Sequence, residues 1–150
     1  MIGANTMHKI ADEVQAAISV PVIHIADAVA ASVKKKGLKK VALLGTKYTM
    51  QLEFYKTRLA AAGIHVIVPG ETDIEFINDS IYNEFGKGIF LPERKGQYLQ
   101  IIQSLTGQGA EGIILGCTEI PILIKQEDCT VPVFDTAFIH AEAAVQFANS

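Results

Sequence analysis

The sequence has little cysteine and no long hydrophobic run, and both absences exclude classes of protein. Two cysteines in 150 residues, Cys117 and Cys129, are too few for a disulfide-stabilised secreted domain or a cysteine-rich zinc site. No apolar stretch approaches the roughly 18–20 residues that span a bilayer. The first residues also lack the basic and apolar regions of a signal peptide. We therefore expect a cytoplasmic protein with no membrane partner.

An excess of charge of one sign is also lacking, because 13 lysines and arginines are balanced by 16 aspartates and glutamates. The formal net charge of −3 gives no electrostatic reason to expect a nucleic acid as the partner. Apolar residues are abundant, at 49% of the chain. The length and this composition suit one globular domain with its own core, and a small molecule is the expected partner.

Five short runs rich in β-branched residues are apolar on both faces, which is typical of buried strands. Pro21 and Pro132 are expected at strand starts, because proline cannot donate a hydrogen bond inside a sheet. The five predicted strands are Val20–Ile25, Lys40–Gly45, Ile64–Pro69, Gly112–Gly116 and Val131–Phe134.

Stretches of helical length separate these runs. Apolar residues recur at helical spacing in two sets, one regular (Tyr98, Ile101, Ile102, Leu105) and one less regular (Leu52, Tyr55, Leu59, Ala62). Gly37 and Gly63 follow helical stretches and are predicted to be left-handed C-caps. Alternating strands and helices predict an α/β fold with a parallel sheet covered on both faces. Ligands of such sheets bind beyond the carboxyl ends of the strands, at Thr46–Thr49, Cys117–Glu119 and Asp135–Thr136.

The chain also contains an internal repeat. Residues 20–32 align with residues 131–144, since each segment has Val-Pro-Val followed by an alanine-rich stretch. A turn of small residues precedes each copy, and Ala4 and Cys117 occupy equivalent positions in the two turns. Two matches in register indicate two related halves.

Only three residues precede the turn at Ala4, whereas strands and helices from Lys40 onwards precede the equivalent turn at Cys117. We therefore expect an intact relative to have roughly 225 residues in two lobes, of which this chain lacks the N-terminal third. Residues 40–134 are predicted to form one complete Rossmann-like lobe. Residues 1–39 and 136–150 are then the remnant of a pseudo-symmetric second lobe, and apolar surface should be exposed around them.

Four motifs together resemble the cofactor-independent aspartate/glutamate racemase family: Asn5-Thr-Met-His8, Gly45-Thr-x-x-Thr-Met50, Gly116-Cys-Thr-Glu-Ile-Pro121 and Val131-Pro-Val-Phe-Asp-Thr136. The resemblance implies two α/β lobes that each supply one cysteine to the cleft between them. One thiolate removes the α-proton of an amino acid, and the other thiol delivers a proton to the opposite face. It also implies that no pyridoxal phosphate or metal takes part and that the protein is a homo-oligomer, commonly a homodimer.

Cys117 matches one of the family's two cysteines. It follows a predicted strand and precedes Pro121, which favours the first turn of a helix, so amide groups at a helix N-terminus should lower the thiol pKa. The other interpretation of its position is a buried structural cysteine. Cys129 lies in a polar connection and is expected to have no catalytic role.

The first cysteine of the family is replaced here by Ala4, and alanine cannot transfer a proton. Three explanations are open: an inactivated variant, a one-cysteine enzyme resembling the related decarboxylases, or substitution by another group such as His8 through a water. His8 is also expected to form a hydrogen bond within its own turn.

The resemblance assigns further residues. Asn5 and Thr6 match groups that bind the substrate's carboxylate and ammonium, whereas without the resemblance they would be turn and cap residues. The hydroxyl of Thr118, next to the amides of the predicted helix N-terminus, is expected from its own position to hold a substrate carboxylate. The remaining candidates have both site and structural interpretations: Thr46 and Thr49 as cleft residues or helix caps, Lys87 as the partner of an acidic side chain or a surface lysine, and Glu119 as a thiol-tuning group or an exposed carboxylate. The four histidines are scattered along the sequence, so no metal site is predicted.

The expected function is therefore racemisation of aspartate or glutamate by thiol-based proton transfer at Cα, without a cofactor, impaired by Ala4. Two alternatives are open. One is a non-catalytic remnant that binds a small carboxylate, and the other is a one-cysteine decarboxylase or isomerase of the same superfamily.

Overall fold

Four parallel strands form a sheet in the order β2-β1-β3-β4. The computed structural model describes all residues, 1–150. The strands are β1 Lys40–Gly45, β2 His65–Ile67, β3 Ile113–Gly116 and β4 Val133–Asp135. The helices are α1 Ala11–Ala17, α2 Ile25–Lys35, α3 Lys47–Gln51, α4 Glu53–Ala61, α5 Glu71–Asn83, α6 Pro92–Gly107, α7 Ile120–Leu123 and α8 Thr136–Ala148, with 3-10 helices at Thr6–Ile10, Phe85–Lys87 and Gln126–Asp128.

The sheet confirms the predicted α/β class and four of the five predicted strands. The prediction of a strand at Val20–Ile25 is wrong, because this segment is a loop that leads into α2. The side chain of Gln15 donates a hydrogen bond to the carbonyl of Val20 and accepts one from the amide of Val22. It thereby occupies backbone groups that a neighbouring strand would need. The two copies of the internal repeat therefore share their helix but not their strand.

Both faces of the sheet are covered because β1 and β3 are apolar on both sides. Val41 and Leu43 contribute to a core with α2 and α4, whereas Ala42 and Leu44 contribute to a core with α5 and α6. The regular apolar set of α6 is buried as predicted, while in the less regular set Leu52 is exposed. Crossover helices on both faces leave the carboxyl edge of the strands open for ligands.

Glycine ends two helices as predicted. Gly37, after α2, has φ 72°, and Gly63, after α4, has φ 79°. Glycine adopts these left-handed conformations without the strain that a Cβ atom would introduce. Both turns direct the chain into the neighbouring strands β1 and β2.

The ends of the chain pack on the sheet through helices. Arg58 of α4 forms ion pairs with Asp12 of α1 and Asp27 of α2. Three large apolar side chains of α8 are exposed: Phe138, Val145 and Phe147. None of the helices combines the length and apolar character that crossing a bilayer requires. The expected division into one complete lobe and a remnant stays a prediction.

Candidate active site

Strands β1 and β3 lie very close together where they end, at Gly45 and Gly116. These two residues are partners in the sheet register. A Cβ atom on Gly45 would lie 2.8 Å from the carbonyl oxygen of Gly116, and one on Gly116 would lie 2.9 Å from that of Leu44. Only glycine fits at either position. The close approach brings the next residues of both strands, Thr46 and Cys117, to the same edge.

A cavity of about 560 Å³ opens at this edge. Four segments line it: the N-terminal turn, the end of β1, the end of α5 with the 3-10 helix that follows, and the turn after β3. The lining residues are Ala4, Asn5, Thr6, Met7, Thr46, Ile81, Tyr82, Gly86, Gly116, Cys117, Thr118 and Glu119. The fold therefore brings together Ala4 and Cys117, the equivalent residues of the internal repeat.

The thiol of Cys117 donates a hydrogen bond to Oε2 of Glu119, with Sγ and Oε2 2.8 Å apart. Burial raises the thiol pKa to about 12, and the hydrogen bond to Glu119 adds to the effect. Hydrogen bonds from the amides of Glu119 and Ile120 act in the opposite direction but do not compensate. The prediction of a lowered thiol pKa is therefore wrong. The amide donors of the short helix α7 are present, but burial and the carboxylate outweigh them.

The carboxylate of Glu119, which accepts the thiol's hydrogen bond, has a lowered pKa. Burial alone would raise its pKa, but hydrogen bonds from the Cys117 thiol and the Thr118 hydroxyl lower it. Near neutral pH the site therefore holds a protonated thiol next to an ionised carboxylate. Such a pair has a proton to give and a base that can accept it.

Asn5 does not serve as a helix cap, although it precedes the 3-10 helix Thr6–Ile10. Its Nδ2 donates to Oγ1 of Thr136, 2.9 Å away, and this hydroxyl donates to the carbonyl of Leu115. The other amide atom, Oδ1, is buried without a hydrogen-bond partner. Because buried polar atoms nearly always have partners, this oxygen is available to a ligand's donor.

Three threonine hydroxyls join the N-terminal turn to the end of β1. Oγ1 of Thr6 lies 2.7 Å from Oγ1 of Thr46 and 3.2 Å from Oγ1 of Thr49. Thr46 also caps α3 by accepting a hydrogen bond from the amide of Thr49. Thr46 thus caps a helix and also lines the cavity, whereas Thr49 is fully buried and does not line it.

Besides Thr49, three predicted or considered residues lie outside the cavity lining. Lys87 is exposed, and only its neighbour Gly86 reaches the cavity. His8 is buried, and its Nδ1 lies 2.9 Å from the carbonyl oxygen of Ala4, which confirms the expected hydrogen bond within the turn. Cys129 is half-buried away from the site.

The sequence analysis missed Met7, Ile81 and Tyr82, which form the apolar part of the lining. Tyr82 is 52% exposed although it is a large aromatic residue, and it lies next to the buried Ile81 at the end of α5. The sequence signal that could have identified it is a large aromatic residue directly after the apolar positions of α5, at Ile74, Ile77 and Ile81. Its place at the cavity depends on the packing of α5 against the sheet.

The histidines are not scattered in the fold. The ring of His8 has its centroid 4.7 Å from that of His24 and 5.2 Å from that of His140. All three are buried, whereas His65 is exposed. Sequence spacing gave no sign of this cluster, because its members come from three separate segments.

Residues 1–144 match the Asp/Glu/hydantoin racemase family. This match covers nearly the whole chain, and the chain belongs to that family. A curated relative is the broad specificity amino-acid racemase RacX of Bacillus subtilis (strain 168), 26% identical over 144 residues, which are 94% of this chain and 60% of RacX.

Solved structures share the fold. A candidate Asp/Glu racemase from Yersinia pestis is 48% identical with a TM-score of 0.94, and the match covers 98% of this chain and 64% of that one. An aspartate racemase homologue from Pyrococcus horikoshii OT3 is 41% identical with a TM-score of 0.87, covering 98% and 65%. The chain spans less than two thirds of the length of RacX and of either structure.

Proposed function

We propose that this chain exchanges the α-proton of an acidic amino acid through Cys117, without pyridoxal phosphate or a metal. The observation that carries the proposal is the Cys117 thiol on the cavity wall, hydrogen-bonded to Glu119 at 2.8 Å. Racemase family membership supplies the reaction class.

In this proposal the thiol proton moves first to Glu119, and the resulting thiolate then takes the proton from Cα. The reverse steps return a proton from the thiol to the same face of Cα. The negative charge left on the substrate spreads into its α-carboxylate. The hydroxyl of Thr46 binds this group, and the hydroxyl of Thr118, which donates to the ionised Glu119, turns to it once Glu119 has taken the thiol proton. Oδ1 of Asn5 supports this assignment, because an unpartnered buried acceptor suits the substrate's ammonium group.

Thr6 and Thr49 position Thr46 through their hydroxyl contacts, and His8 positions Ala4. Lys87 supplies positive charge beside Gly86 at the cavity, which supports an acidic substrate side chain. The lysine itself does not line the cavity, so its contribution is long-range electrostatic attraction. RacX, a broad specificity racemase by name, makes neutral amino acids necessary comparison substrates.

Because residue 4 is alanine, only one face of Cα can exchange its proton with a thiol. Inversion at Cα needs an acid or base on each face, and Cys117 is the only thiol that lines the cavity. We therefore expect proton exchange with retention of configuration and little racemisation. Ala4 replaces a group that a complete pair would require.

A second candidate is decarboxylation of a malonate-type acid. The raised pKa of Cys117 favours it, because a protonated thiol can deliver a proton to the carbanion left when carbon dioxide departs. In that reaction the C–C bond breaks, its electron pair stays on the α-carbon, and the thiol proton completes the product. A third outcome, binding of a small carboxylate without turnover, would leave both reactions undetected.

The decisive experiment incubates the protein with L- and D-aspartate, L- and D-glutamate and L-alanine in deuterated water. Deuterium at Cα, detected by NMR, should appear for the acidic amino acids. Exchange should be lost in Cys117→Ser and kept in the matched control Cys129→Ser. Absence of exchange with every amino acid contradicts the proposal, and carbon dioxide release from a malonate-type acid would then support the second candidate.

We also propose that the chain contributes to two lobes, forms a homo-oligomer and is located in the cytoplasm. Residues 40–134 form one complete lobe, and residues 1–39 and 136–150 belong to a second. A homo-oligomer is supported by the exposed Phe138, Val145 and Phe147 of α8. A cytoplasmic location suits two free thiols, Cys117 and Cys129.

A further inference from the structure

The buried histidine cluster connects the N-terminal turn to two helices of the body. His8 belongs to the 3-10 helix Thr6–Ile10, His24 immediately precedes α2, and His140 lies in α8. His8 is the central ring, because it contacts both of the others. All three side chains are at most 4% exposed. The proposed proton transfer uses none of these rings directly.

The hydrogen bonds of the three rings define a neutral state for the cluster. His8 donates from Nδ1 to the carbonyl of Ala4, which leaves Nε2 as an acceptor, and this atom is buried without a partner. Nδ1 of His24 accepts from the amide of Ala26 at 3.1 Å. Nε2 of His140 donates to the carbonyl of Ile23 at 2.7 Å. A second proton on His24 displaces the amide of Ala26, and one on Nε2 of His8 enters a buried position without a hydrogen-bond partner. Carbonyl groups of Ala4 and Asn5 at His8, and of His8 at His24, favour the protonated rings, but burial outweighs them.

The surrounding charges also disfavour a protonated ring. Burial lowers the pKa of His8, and burial lowers that of His24 to about 4. Positive charge on His140 and Arg58 of α4 acts in the same direction on His8, as positive charge on Arg58 and His8 does on His24. Asp27 of α2 is the opposing charge at His24, but it is paired with Arg58, as is Asp12 of α1. On α8 the nearby Glu142 lines a separate cavity between α2 and α8.

We propose that the three histidines form a proton-sensitive latch, which holds residues 4–7 at the cavity while all rings are neutral and releases them when a ring is protonated. A proton on Nδ1 of His24 breaks its hydrogen bond with Ala26. A proton on Nε2 of His8 creates a buried charge without a partner. Release removes Asn5 and Thr6 from the cavity.

The direction of the pH dependence follows from the lowered values. The pKa of His24 falls from 6.5 to about 4 on folding, so the stabilisation by the neutral ring is fully present above pH 6.5. It is lost as the pH falls towards 4. Regulation of amino-acid chemistry by this latch rests on the proposed function, but release of the turn does not.

Two of the three methionines, Met7 and Met50, allow the release to be followed by NMR. Met7 lines the cavity in the turn, whereas Met50 is fully buried in the core. In protein carrying ¹³C-methyl methionine, we expect the Met7 resonance to shift between pH 6.5 and about 4 while Met50 stays constant. The Met7 midpoint should coincide with the titration of a cluster ring, observed through imidazole carbon resonances.

Three variants test the assignment. His24→Asn keeps a side-chain acceptor for the N-cap, and His8→Asn keeps a side-chain donor for the carbonyl of Ala4, but neither asparagine can be protonated. The variant at the ring that is protonated first should move the Met7 transition to lower pH, whereas His65→Gln, at the exposed histidine, should leave it unchanged. The proposal is overturned if Met7 and Met50 shift together, if Met7 does not shift, or if neither His8→Asn nor His24→Asn changes the midpoint. These measurements need no substrate, so a failure to exchange α-protons does not affect them.

Discussion

Glu119 accepts a hydrogen bond from the thiol of Cys117 at 2.8 Å, and this contact joins the cavity's thiol to its only acidic lining residue. Burial and the negative carboxylate together favour the protonated form of the thiol. In the proposed reaction the same carboxylate is the base that receives the thiol proton.

Replacing Glu119 by glutamine should make the Cys117 thiol more acidic. Glutamine removes the negative charge that raises the thiol pKa, and each unit by which that pKa falls increases the thiolate fraction about tenfold. We expect faster alkylation of Cys117 by iodoacetamide at pH 8 in Glu119→Gln, measured by mass spectrometry in a Cys129→Ser background. Glu127→Gln, at an exposed glutamate, should alkylate at the original rate. Equal rates in both variants would show that Glu119 does not contribute to the raised pKa, which burial would then cause alone.

Replacing Ala4 by cysteine should introduce inversion at Cα. Ala4 lines the same cavity as Cys117 and is exposed to it, so a second thiol there would serve the other face of the substrate. General acid–base groups contribute about 10²–10⁴-fold to rates, so racemisation of aspartate should rise by at least about 10²-fold. Chiral chromatography of the products measures it. Ala4→Ser is the matched control, and exchange without inversion in Ala4→Cys would show that residue 4 does not lie opposite Cys117.

Replacing Gly116 by alanine should destabilise the protein. The new Cβ would lie 2.9 Å from the carbonyl oxygen of Leu44 and 3.1 Å from a methyl carbon of Leu43. Forcing β1 and β3 apart should cost about 1–3 kcal/mol of unfolding free energy, measured by urea denaturation. The control Gly96→Ala lies in α6, where a Cβ meets nothing within 4 Å, and should stabilise by about 0.5–1 kcal/mol. An unchanged stability in Gly116→Ala would mean that the strands separate at no cost.

The sequence alone determined the α/β class, because local patterns carried the information. Continuous apolar runs in β1 and β3 indicated strands covered on both faces, and the spacing of Tyr98, Ile101 and Leu105 identified the buried side of α6. Gly37 ended α2 as its position indicated. The motif residues Thr46 and Cys117 also reached one cavity, since parallel strands place their carboxyl ends at the same edge. Asn5 lines the same cavity from the N-terminal turn, which follows no strand.

Tertiary structure decided what depends on the folded surroundings of each residue. Gln15 satisfies the backbone of the Val-Pro-Val segment and keeps it out of the sheet. Burial and Glu119 reverse the expected direction of the Cys117 pKa. His8, His24 and His140 meet only because the N-terminal turn, α2 and α8 pack together. Hydrogen-bond competition, desolvation and long-range packing are properties of the folded surroundings, and no local pattern encodes them.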